Sequence, residues 1–139
     1  MTQKEACDEL CAYSLTHGDP AFIHQHVVDA FAAQNASEMT KPICITFALV
    51  GLYLHVERQR TGRQVQRTHQ ALARRQQAWP FLTLPRDRGA MTAIEVLAKP
   101  EGAARDEAIH SWCACVWEVF RDNKPAIVEL LARNETGYT

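Results

Sequence analysis

Residues 43–56 read ICITFALVGLYLHV, an apolar run that only Thr46, Gly51 and His55 interrupt. A helix apolar on nearly all faces has no side to give to solvent, so this segment predicts the central, most buried helix of a bundle. It is shorter than the roughly 20 residues that cross a bilayer, so no membrane partner is expected. Thr40 is placed to cap this helix, with Pro42 in its first turn, where a missing amide hydrogen is tolerated.

Outward from this segment, Ala6, Leu10, Tyr13 and Leu15 recur mostly at helical spacing over 2–16, and Gly18-Asp19-Pro20 then breaks the chain. Asp19 as N-cap and Pro20 at the first helical position predict a second helix carrying Phe22, Ile23, Val27, Val28, Ala30 and Phe31 as far as Asn35. Past the polar 57–61 and the helix-averse Gly62, the residues Val65, Thr68, His69 and Leu72 mark a fourth, basic helix ending near Arg75. The two prolines of Trp79-Pro80-Phe81-Leu82-Thr83-Leu84-Pro85 exclude a continuous helix and predict an extended loop packed over the core. Thr92 and Glu95 have capping-box spacing for a short helix to Ala98. A longer helix follows over 103–120, with Ile109, Trp112, Cys113, Val116, Trp117 and Phe120 on one wide stripe, and a last one covers 125–133. With no strand-like alternation, the fold class is all-α: a single-domain helical bundle of about six to seven helices spanning 1–139.

Composition narrows the function classes. Of the 139 residues, 47% are hydrophobic, enough for one contiguous core. Fifteen Lys+Arg nearly cancel sixteen Asp+Glu, and the net charge of −1 gives no global pull toward nucleic acid, which is disfavoured as a partner. The first residues lack the basic and apolar regions of a secretory leader, and five cysteines are an odd number for a disulfide framework, so a reduced cytoplasm is the expected location.

Short links between the first four helices imply antiparallel neighbours, which gathers His17, His24, His26, His55 and His69 toward one pole. Imidazole is the commonest neutral ligand of transition metals, and bundles often hold metals between inward side chains, so a divalent transition metal, zinc or nickel, is expected there. His24 shares a stripe with Val27, Val28 and Phe31 and is read as inward; His55 follows Gly51 by a turn; His69 lies between Val65 and Leu72. These three are the preferred ligands, with His17 and His26 as substitutes and Asp29 or Glu57 orienting the imidazoles. The competing reading for each is a core histidine donating to a carbonyl or carboxylate. If the site is catalytic, a metal-bound water or thiol at an open coordination position is the reactive species.

Cys7 and Cys11, four apart on the first helix, face the same way and suit a soft metal site, reactive thiols or ordinary core packing. Cys44 and Cys113 read as packing residues. Eight of the fifteen basic residues, all arginine, fall between Arg58 and Arg88. Among them Arg60, Arg63, Arg67 and Arg74 form a stripe able to bind phosphate, a small-molecule carboxylate ligand, an acidic partner or nucleic acid, or to remain a solvated face. The alternative to a metal protein is therefore a non-catalytic interaction protein, a homodimer or acidic-partner binder.

The segment 24–34, HQHVVDAFAAQ, resembles the H-x3-V-D-A-[FY]-x2-Q element of a bacterial family of uncharacterised helical proteins. With TFALVGLYLHVE over 46–57 and Trp79-Pro80, the resemblance covers about half the chain. It implies a helical protein and draws attention to His24, but it carries no activity. At the level of the bundle alone, the chain is also similar to DinB-like metal-dependent transferases, whose late H-x3-H ligands have no counterpart here.

Overall fold

Thr2 opens the first helix by a reciprocal cap, its side chain accepting from the Glu5 amide while the Glu5 carboxylate accepts from the Thr2 amide. In this computed structural model, which describes residues 1–16 and 21–134, six longer α-helices and one five-residue helix follow in order. They are α1 (Gln3–Leu15), α2 (His24–Gln34), α3 (Pro42–Arg58), α4 (Gly62–Ala73), the short α5 (Ala93–Leu97), α6 (Ala103–Phe120) and α7 (Lys124–Arg133). A 3-10 turn, Arg121–Asn123, joins the last two. Among the described residues there is no strand, and the all-α class expected from the sequence is the one found.

α3 is the axis of the bundle and packs against α2, α4, α6 and α7. Leu49, Val50 and Leu54 are fully buried, and with Trp112, Trp117 and Phe120 of α6 they belong to one hydrophobic cluster. Gln59, at a left-handed φ of 51°, ends α3, and the Arg60 amide turns back to the Leu54 carbonyl at 2.9 Å. At the other end Lys41, not Thr40, is the cap position; the Thr40 hydroxyl instead accepts from the Ser37 amide in the preceding turn. No helix is long and apolar enough to cross a membrane among the described residues.

Two other boundaries differ from expectation. α2 begins at His24, because Phe22 takes a φ of 46° that no right-handed helix allows; the expected cap Asp19 and Pro20 lie outside the described residues. α4 begins earlier than its apolar pattern suggested, at Gly62, under a capping box formed by Thr61 and Gln64. Here glycine is required by space: its amide donates to the Ala21 carbonyl at 2.6 Å, and a Cβ would stand 1.8 Å from the Phe22 carbonyl oxygen. The absent side chain lets the start of α4 dock against the segment that leads into α2.

The proline-rich loop is extended and pinned over the core. Asn123 accepts from the Thr83 amide at 2.8 Å and donates to the Thr83 carbonyl at 2.9 Å. Trp79 meets Phe47 edge-on, with centroids 5.6 Å apart, and Leu82 and Leu84 pack on the core while Phe81 is 91% exposed. Between this loop and the start of α3 runs an apolar groove of about 750 Å³, lined by Pro42, Ile45, Trp79 and Leu84 among others.

Candidate functional site

α2 and α3 lie side by side with His26 against His55 and Asp29 against Gly51, a register that runs the two helices antiparallel. The buried face of α2 is His26, Val27, Asp29, Ala30 and Ala33, whereas Val28 is 38% exposed. His26 is therefore the inward histidine of its pair and His24 is only half-buried. The alanines explain the rotation: their small side chains let α2 approach α3 closely, which outweighs the larger apolar area of Val28.

Three imidazoles meet at this seam. The rings of His26 and His55 stack with centroids 3.6 Å apart and 17° between planes. From α6, His110 brings Nδ1 to 2.9 Å from His55 Nε2. The cluster runs from the exposed His110 through the half-buried His55 to His26, which is 3% exposed and whose Nδ1 has no partner among the described residues. Burial, reinforced by the neighbouring imidazoles, pushes His26 down to about 2 and His55 down to about 4; a hydrogen bond to the Arg60 backbone partly opposes the second shift. These two rings are neutral at ordinary pH.

The 2.9 Å approach decides what the cluster can do. Two N–H groups cannot face each other at that distance, so the rings share one proton, donated by one imidazole to the lone pair of the other. The Arg60 backbone also interacts with His55, in the sense that favours the protonated ring. Two imidazoles on one tetrahedral ion at about 2.0–2.1 Å have nitrogens roughly 3.3 Å apart, so a small swing of the exposed His110 admits an ion. The stacked His26 cannot place its ring plane through the same ion without leaving the stack. Among the described residues, no group of three or more His, Cys, Asp or Glu side chains is set to hold a metal ion.

Below the imidazoles lies a buried carboxyl. Asp29 Oδ1 accepts from Gln25 Nε2 at 3.1 Å, and Oδ2, unpartnered among the described residues, rests where a Cβ on Gly51 would come within 1.8 Å. Burial raises Asp29 well above the usual carboxylate range, which favours its neutral form. The Cys113 thiol donates to the His26 carbonyl at 3.5 Å; burial and then the nearby Asp29 carboxyl push that thiol up. Asp29 is thus packed beneath the cluster without bonding an imidazole.

The other candidates are held by different partners. His69 Nε2 lies 2.8 Å from the Phe47 carbonyl, its ring stacks on Phe47, and burial pushes it down to about 4. His24 Nδ1 lies 3.2 Å from Ser14 Oγ. His17 lies outside the described residues. Glu57 accepts from Trp117 Nε1 and Lys124 Nζ, both at 2.6 Å, and Arg121 stands 3.5 Å away. Burial would raise Glu57, but the Lys124 and Trp117 hydrogen bonds outweigh it and hold the carboxyl below its usual range. In the arginine stripe, Arg63 stacks 3.9 Å over the Phe22 ring, Arg60 is half-buried, and Arg67 and Arg74 are exposed.

His110 was not among the residues singled out from the sequence, although a signal for it exists. It precedes Cys113 by three and Trp117 by seven, at the edge of the buried stripe of α6, and α6 packs on both α2 and α3. Residues 3–121 match a family described as a family of unknown function (DUF5946), in agreement with the resemblance to uncharacterised helical proteins. No curated protein and no solved structure matches the chain.

Proposed function

The chain belongs to DUF5946, a family of unknown function, and we propose that it is a metal-binding helical bundle whose ligands are His55 and His110. The observation that carries this reading is the 2.9 Å approach of two imidazole nitrogens from different helices. Support comes from the anchoring of His55 on the Arg60 backbone and from the unpartnered Nδ1 of the buried His26, a third nitrogen available once it leaves its stack. The ion is a divalent transition metal, zinc or nickel by ligand type. Two protein ligands leave coordination positions for water or a small anion, so any chemistry at the site runs through an exchangeable position.

The test is calorimetric titration with zinc and with nickel, followed by elemental analysis after desalting. Near-stoichiometric binding is expected in the wild type and in His24→Ala, with loss in His55→Ala and in His110→Ala. The exposed His110 can be removed without disturbing the core, so its variant reads ligation apart from folding. Absence of binding in the wild type, or wild-type binding retained in His55→Ala or in His110→Ala, overturns the proposal.

A second reading rests on the exposed Arg67 and Arg74 beside the Phe22-stacked Arg63. In it the stripe holds an acidic partner or a second copy of the chain through solvated charge. Its check is sedimentation at low and high salt: association weakened by salt and by Arg67→Glu supports it, and a salt-indifferent monomer removes it.

A further inference from the structure

Outside the histidine seam, α1 carries a pair of thiols. Cys7 and Cys11 stand one helical turn apart, so their Cβ atoms share a face at about 5–6 Å. Cys7 is 6% exposed and Cys11 is half-buried, which leaves the pair open to solvent on the Cys11 side. The Cys7 thiol hydrogen-bonds the Cys11 sulfur, and the Lys4 ammonium, bonded to Asp8 at 2.6 Å, stands on the same flank. We propose that Cys7 and Cys11 form a two-thiol clamp for a soft, thiophilic ion, of which trivalent arsenic is the diagnostic member.

Geometry selects a bridging ion over a disulfide. A disulfide requires Cβ atoms about 3.5–4.5 Å apart, closer than a regular helical turn supplies, so an S–S bond would distort α1. Trivalent arsenic is pyramidal, and two bonds of about 2.3 Å at roughly 95–100° hold the sulfurs about 3.4–3.5 Å apart instead of the roughly 2.05 Å of a disulfide, a separation that side-chain rotation in an i,i+4 pair can supply. The hydrogen bond from Cys7 lowers Cys11 to about 7, and Lys4 adds to the effect, so a thiolate is on hand to attack first. The remaining thiols form no such pair: Cys44 is alone on α3, and Cys113 and Cys115, two apart on α6, point to different faces.

With phenylarsine oxide the step balances without a change of oxidation state. Two As–S bonds form, the arsenic–oxygen bond breaks, and both thiol protons leave with the oxide oxygen as water. Intact-mass spectrometry of the folded, reduced protein with one equivalent of the arsenical is expected to show a single adduct. That adduct should survive millimolar glutathione, a monothiol, and be removed by dimercaptopropanol, a dithiol. Cys11→Ser should lose the glutathione-resistant adduct while keeping its helical circular dichroism, and Cys7→Ser should do the same; Cys44→Ser and Cys115→Ser should retain it. Because Cys11 is half-buried, its variant keeps the test decisive even where Cys7→Ser fails to fold. No resistant adduct in the wild type, an adduct that persists in Cys11→Ser, or facile Cys7–Cys11 disulfide formation by diamide with the helix intact overturns the clamp.

Discussion

Replacing Gly51 by alanine puts one methyl group where the Asp29 carboxyl already lies. The added carbon would stand 1.8 Å from Oδ2 and 2.5 Å from Cγ of Asp29, with Val65 Cγ1 at 3.2 Å on its other side. Asp29 sits on a buried helix face and cannot retreat into solvent, so either α2 moves from α3 or the side chain leaves its place. Overfilling a packed core costs about 1–3 kcal/mol, and losing the Gln25 bond adds about 1 kcal/mol. Alanine recovers about 1 kcal/mol of helix propensity over glycine. The expected outcome is a net loss of about 1–3 kcal/mol in urea unfolding followed by circular dichroism. The decisive measurement is the cycle with Asp29→Ala: once the carboxyl is gone the methyl fits, so the double variant should be more stable than the sum of the singles by about 1–3 kcal/mol. A Gly51→Ala protein as stable as the wild type, or additive effects in the cycle, would refute the packing of Asp29 on Gly51.

Acid should destabilise the fold before it protonates most surface carboxylates. His26, His55 and His69 are depressed in the folded state to about 2, 4 and 4, so below about 6.5 the unfolded chain binds more protons. Stability is then fully present above that value and is lost toward pH 4, by about 1.4 kcal/mol per pH unit for each histidine; His69→Gln should reduce the slope by one proton, and an unchanged slope refutes its share. Asp29, raised by burial, has the opposite sign, losing stability as pH rises from its ordinary value toward its folded one. Asp29→Asn is accordingly expected to be at least as stable as the wild type in denaturation at pH 8, and a loss above about 1 kcal/mol would count against a neutral Asp29. Asn123→Ala should cost about 2–3 kcal/mol and speed proteolysis within the proline loop, since it orphans the Thr83 amide and carbonyl it now pairs. Phe81→Ser, at a side chain 91% exposed, should change stability by less than about 0.5 kcal/mol, and a larger loss would place Phe81 in a packed contact.

The elements with strong periodic patterns were legible in the sequence. α6 has the bounds its aromatic stripe predicts, and α3 is the buried axis its composition demands. The missed features depend on distant atoms: Gly62 opens α4 because the Ala21 and Phe22 carbonyls crowd its position, which no window around residue 62 reveals. Hydrophobicity alone turns α2 toward Val28 and Phe31, whereas the face that packs inward carries the small Ala30 and Ala33. Chain order gathers histidines from consecutive helices and so sets His26 and His55 at one pole. It could not supply His110, which arrives from α6, 55 residues beyond its partner.

Two tryptophans have indole N–H groups committed across helix pairs, a fact with a spectroscopic consequence. Trp112 donates to Gln34 at the α2–α6 contact and Trp117 donates to Glu57 at the α3–α6 contact, and both rings are buried. Their indole proton resonances therefore report on two separate joints. Loosening α2 would move the Trp112 signal, and protonating Glu57 would move the Trp117 signal. Titrations with metal, acid or arsenical can in this way be followed joint by joint, with no label added to the chain.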